Sequence, residues 1–87
     1  MKKHTKIYLD YFEYGTDDYI PCEVCRRKAV DIHHIVARGM GGGKGKDEIE
    51  NLMALCRECH IEYGDKKQHL DFLITKHHNK LFTSFNI

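Results

Sequence analysis

Apolar positions along this chain fall into short runs, and the period changes from run to run. Ile7, Tyr8, Tyr11 and Phe12 lie at i, i+1, i+4 and i+5, a helical spacing closed by Gly15, although so short a run also fits a strand. Ile20-Pro21 leads into Cys22 in extended conformation, because a residue before proline avoids the helical region. Residues 29–36, "AVDIHHIV", are rich in β-branched side chains and of strand length, and "LMALC", residues 52–56, is a second short strand. Between them "ARGMGGGKGKDEIEN" carries the turn residues of a long surface loop. "RECHIEY" reads as two helical turns stopped by Gly64. Leu70, Leu73, Ile74, His77 and Leu81, at i, i+3, i+4, i+7 and i+11, mark one face of an amphipathic helix. Asp65 with Gln68 three residues on resembles a capping box before it.

The order is therefore helix, knuckle, strand, loop, strand, helix, helix, a small α+β domain. A two-stranded hairpin alone is marginal in water. With 87 residues the chain reads as one domain with a limited core, a size at which a disulfide framework or a structural metal is commonly added. No run approaches the roughly 20 apolar residues of a membrane helix. The first residues have lysines but no apolar signal-peptide segment. These features predict a soluble protein of the cytoplasm, where thiols stay reduced and metal binding outranks disulfides. The net charge of +1 offers no global field, so an anionic partner has to be met by local clusters: Arg26-Arg27-Lys28, Arg38 with Lys44 and Lys46, or Lys66-Lys67. Each is more often a solvated face.

The cysteines form a C-x2-C pair (Cys22, Cys25), a spacer of 30 residues, and a second C-x2-C pair (Cys56, Cys59). Paired knuckles of this kind present four thiolates tetrahedrally to zinc. The spacer exceeds the usual length of about 15–20 residues, which is accounted for if it holds the hairpin and its loop. A redox pair would explain one C-x2-C but not two at the ends of one hairpin. With four ligands the zinc site is closed and catalytically silent. His33, His34 and His60 are then left over, on elements that the cysteine clamp would bring together. His4, His69, His77 and His78 read as solvent-facing or packed.

At this point "CEVC…DIHHIVARGMGG…DEIENLMALCRECH" resembles the HNH nuclease family in its four-cysteine zinc form, over residues 22–60. The resemblance implies a ββα-metal fold that cuts phosphodiester bonds, usually of DNA, leaving 5′-phosphate and 3′-hydroxyl ends. Residues 1–87 would be one nuclease domain, with a core at 20–64, a helical extension at 1–19 and a C-terminal helix at 65–87. By the same resemblance His34 is the general base, and Asn51 fixes the loop and the base. His33 and His60 hold one catalytic divalent ion: Mg2+, Mn2+, Ni2+ or Zn2+. Asp31 is a further candidate, as a ligand or as the partner that orients a histidine. Some relatives, such as the colicin DNases, carry a second helical histidine one turn after the first; here that position is Gly64.

Adjacent histidines can divide the work, one as base and one as ligand. Strand alternation sends neighbours to opposite faces, so a bend at the strand end is expected to re-aim one of them. The glycine-rich loop lacks the P-loop pattern. Arg38, Lys44 and Lys46 within it are candidates for DNA phosphate contacts, Arg38 being nearest the chemistry. The Asn51 amide can bond backbone on both sides of that loop, as donor and acceptor together. Relatives occur in phages and mobile elements, which suggests DNA packaging or restriction, with specificity supplied by a partner protein. Two other readings fit part of the pattern: a non-catalytic zinc-ribbon-like nucleic-acid-binding module, and a zinc-held adaptor.

Overall fold

Strand β1 (Asp31–His34) pairs antiparallel with β2 (Leu52–Leu55), Asp31 facing Leu55 and His34 facing Leu52. The computed structural model describes residues 2–36 and 47–85. Directly opposed residues share a face of the sheet, so this register sorts the hairpin into two sides. Ile32, His34, Leu52 and Ala54 take one; Asp31, His33, Met53 and Leu55 take the other. Helix α1 (Lys3–Tyr11) covers the first side, where Tyr8 is fully buried in one cluster with Leu52 and Ala54, joined by Ile32. On the second side Met53 and Leu55 pack with Ile35, the cysteines and Leu73. Here α2 (Arg57–Tyr63) contributes Cys59 and α3 (Leu70–Phe85) contributes Leu73. Both faces of β2 are thus covered, and all four of its residues are buried. That is why "LMAL" has no polar position. With three helices and one two-stranded sheet the fold is the small α+β, ββα type that the sequence predicts.

The apolar periods place the elements well and their ends less well. α1 begins at Lys3 and stops at Tyr11, so its apolar residues occupy its C-terminal half. On α3 the expected face is the buried one: Leu73, His77 and Leu81 lie inside, and Leu70 and Ile74 pack against the core. The capping box at Asp65 does not form. Asp65 sits at φ 57°, in the left-handed region, whereas an N-cap is extended. The chain enters α3 instead through a 3-10 turn, Lys67–His69, that has no side-chain cap.

Residues 20–29 double back on themselves, with a bridge between Pro21 and Lys28 and the Ala29 amide donating to the Ile20 carbonyl at 2.8 Å. This knuckle docks on the outer edge of β2 through Glu23. Its amide donates to the Ala54 carbonyl at 2.9 Å, and its carboxylate accepts from the Ala54 amide at 3.1 Å. The same carboxylate accepts from the Tyr8 hydroxyl at 2.5 Å and meets His77 Nδ1 at 2.7 Å. Burial, and then the Glu23 charge, push the Tyr8 hydroxyl far above its ordinary range, so it stays a donor. His77 Nε2 donates to the Ile49 carbonyl, so both ring nitrogens face oxygens. Glu23 thus ties one side of the ring to the knuckle, and the Ile49 carbonyl holds the other. The His77–Glu23 pair is sealed from solvent, with side-chain exposures of 0% and 1%.

Removing one member of such a pair strands the other. His77→Ala is expected to lower stability by about 3–5 kcal/mol, against about 1 kcal/mol for Tyr8→Phe, which removes one hydrogen bond. Urea unfolding followed by circular dichroism measures both; equal, small losses would show the pair to be incidental.

Candidate metal centres and the β1 cleft

The four cysteines converge. Their sulfurs lie within 4.8 Å of one another, and all four are free thiols. Cys22, Cys56 and Cys59 are buried. Cys25 Sγ and Cys56 Sγ are 3.5 Å apart. Tetrahedral bonds of about 2.3 Å to zinc would space the sulfurs by about 3.8 Å, so the cluster fits one such ion. Amide donors already point at the sulfurs: Val24 N at 3.4 Å from Cys22 Sγ, and Cys59 N at 3.4 Å from Cys56 Sγ. Burial raises all the thiols whose shift is resolved. At Cys22 the amides of Cys25, Cys56 and Val24 outweigh burial and bring it down to about 7, whereas at Cys56 and Cys59 burial prevails and the thiols stay high. Cys56 and Cys59 thus resist ionisation, and turning them into thiolates calls for a cation beside them.

Cys56 ends β2 and caps α2; Cys59 sits in the first turn of α2, and His60 follows it directly. The cluster thereby carries His60 to β1. The His33 and His60 rings lie 4.8 Å apart, and a nitrogen of each lies within 4.8 Å of an Asp65 carboxylate oxygen. His33 is 5% exposed, and its Nε2 has no hydrogen-bond partner. Burial, reinforced by His60, holds its pKa below the ordinary imidazole value. A buried neutral imidazole with an orphan nitrogen is the form that takes a metal, so these residues fit a second ion. His60 Nδ1 is 3.0 Å from Asp31 Oδ2, an orienting bond for the ring.

His34 has other company. Its Nε2 lies 2.7 Å from Asp47 Oδ1, and its ring packs on His4 at 4.6 Å. His4, His34 and Asp47 form a third group of potential ligands. The strand alternates regularly through His34, and the chain bends only at Ile35 and Val36. The bend expected at the strand end thus falls after the histidine pair, and re-aiming of one histidine does not occur. It is not needed, because an open cleft of about 510 Å³ runs along the outer edge of β1 and is lined from both faces, by His33, His60 and Asp65 and by His34 and His4. Asn51 acts as donor and acceptor together, with both bonds on Val36: Oδ1 accepts from Val36 N at 2.8 Å, and Nδ2 donates to Val36 O at 3.1 Å.

Arg38, Lys44 and Lys46 lie outside the described residues. Three contributors were not singled out from sequence as site residues. His4 was read as a background histidine, and only the packing of α1 on the hairpin brings it to His34. Asp47 had a faint signal, an acid four residues before Asn51. Asp65 was read as a helix cap. Among the described residues no helix is long and apolar enough to cross a membrane.

The family model for HNH endonuclease matches residues 22–66. The chain matches no curated protein and no solved structure.

Gly64 passes directly over the two imidazoles. A Cβ there would stand 2.5 Å from His60 Cδ2 and from the His60 carbonyl oxygen, and 3.4 Å from His33 Cε1. Gly64→Ala is expected to cost about 1–3 kcal/mol, as overpacking does, and to shift the His60 ring resonances in NMR. Unchanged stability and unchanged His60 signals would show that the backbone relaxes freely there.

Proposed function

The chain belongs to the HNH endonuclease family, and from that premise we propose that it is a divalent-metal-dependent endonuclease that hydrolyses DNA to 5′-phosphate and 3′-hydroxyl ends. A nucleic-acid substrate follows from the family. The observation that carries the rest is the different company of two adjacent histidines. His34 is bonded to a carboxylate, while His33 keeps a buried, unpartnered nitrogen beside His60.

In this reading His34 is the general base. Asp47 accepts a hydrogen bond from Nε2–H, which leaves the Nδ1 lone pair for a water and favours the imidazolium as that water gives up its proton. His33 and His60 hold the catalytic cation, with Asp31 fixing His60 so that Nε2 is its ligating nitrogen. When bound, Mg2+, Mn2+, Ni2+ or Zn2+ would neutralise phosphate charge and stabilise the leaving 3′ oxygen. Asn51 pins Val36, two residues past the base, and so fixes where the strand ends. Arg38, Lys44 and Lys46 contact backbone phosphates. Cys22, Cys25, Cys56 and Cys59 hold a structural zinc that takes no part in the chemistry. Residues 1–87 act as one nuclease domain in the cytoplasm, with its core at 20–64. Sequence preference comes from a partner, such as a DNA-packaging protein.

Plasmid cleavage with each divalent metal tests this. His34→Ala should retain the ion and lose about 10²–10⁴-fold in rate, with partial rescue by added imidazole. His33→Ala and His60→Ala should bind the ion weakly and recover some activity at higher metal concentration. Asn51→Ala should keep its fold and cut more slowly. No metal-dependent cutting by the wild type, or equal cutting by the wild type and all four variants, the mark of a contaminating nuclease, would leave a non-catalytic zinc-ribbon-like binding module as the better description.

A further inference from the structure

Two imidazoles alone hold a cation loosely, and the chain lacks the helical histidine that could supply a third ligand one turn on. That position is Gly64, and the space explains why. A side chain at 64 would collide with the His60 ring and backbone before reaching any ion, its Cβ already being 2.5 Å from both. The next residue stands differently. Asp65 follows the last turn of α2 at φ 57°, a backbone region that aspartate tolerates better than most side chains. It lines the β1 cleft, and a carboxylate oxygen of Asp65 lies within 4.8 Å of a ring nitrogen of both His33 and His60. An independent observation points to a ligand here: His33 Nε2 is sealed from solvent without a partner. A buried polar nitrogen is seldom left so unless something binds it.

We propose that Asp65 is the third protein ligand of the cation in the β1 cleft, completing a two-imidazole, one-carboxylate set with His33 and His60. The proposal rests on the metal-dependent reading above and extends it. The ligand that relatives place on the helix has moved one residue along, from the helical turn to the loop behind it, and has changed from nitrogen to oxygen. The change has a chemical consequence. Imidazole suits zinc and nickel, whereas carboxylate suits manganese and magnesium, so the mixed set accepts Mn2+ alongside Ni2+ and Zn2+. It also adds a negative charge that an all-histidine set lacks. The three residues line the open cleft, through which phosphate and water would reach a bound ion.

Titration calorimetry with Mn2+, on the full chain with its cysteine site filled by zinc, tests the assignment without relying on activity. The wild type should bind one further ion. Asp65→Asn, which keeps the shape and removes the charge, should weaken binding by at least about tenfold, and Asp65→Glu should recover part of that loss. Circular dichroism should show both variants folded, and Asp65→Asn should also shift the preference from Mn2+ towards Ni2+. His4→Ala should leave Mn2+ affinity within about twofold, because it belongs to the other group of ligands. If His33→Ala abolishes Mn2+ binding while Asp65→Asn does not weaken it, Asp65 is no ligand and the nuclease reading stands without it. If His4→Ala is the variant that weakens binding, the ion sits at His34 and Asp47, and the assignment is overturned. If the wild type binds no second ion, the metal-dependent reading falls and takes this proposal with it.

Discussion

Everything in the site depends on four sulfurs being held together. The strands are four residues long, too short for a hairpin to persist unaided. The cysteines tie the two ends of that hairpin across 30 residues of intervening chain. One knuckle docks on the outer edge of β2 through Glu23, and the other joins β2 to α2 through Cys56 and Cys59. His60 is the residue after Cys59, so the cluster brings it to β1, where the bond to Asp31 orients its ring against His33. A cation among the four sulfurs would offset the charge of their thiolates in an apolar interior. The same free energy would then hold the histidines in place.

A second constraint comes from strand alternation. Neighbours on β1 face opposite sides of the sheet, so His33 and His34 meet different companions: α2 for the first, α1 and Asp47 for the second. The edge position of β1 lets one cleft reach both. This separates a candidate base from candidate ligands without any distortion of the strand. The flanking helices contribute more than cover. α1 brings Tyr8 into the core and His4 to the cleft, and α3 buries His77 against Glu23. Glu23 is thus one node joining both helices to the knuckle and to β2.

Much of this was legible in the sequence because it is written in local spacing. The C-x2-C pairs, the β-branched run around the histidine pair, the face of α3 and the donor-and-acceptor bonding of Asn51 need only periods and donor–acceptor counts. What was missed depends on tertiary proximity. Nothing near His4 in the chain distinguishes it from a surface histidine, and the spacing on α3 puts His77 on the inner face without naming its partners. Their roles appear only when α1 and α3 are laid on the hairpin. Asp65 was misjudged because an aspartate before a helix suggests a cap, whereas its left-handed backbone removes it from that geometry and leaves its carboxylate at the cleft. The expected re-aiming of one histidine came from assuming that a site must lie on one face of a sheet. At a sheet edge that assumption fails.

If metal in the cysteine cluster positions the histidines, withdrawing it should release them. A series of amide and imidazole NMR spectra recorded as a chelator removes metal from the purified chain reads this out. One tightly held zinc per chain is expected. As it leaves, the β1 and β2 amides should lose dispersion together with the His33 and His60 ring signals, in a single step. A chain that keeps dispersed strand amides and unchanged histidine signals with no metal in its four thiols would contradict this dependence.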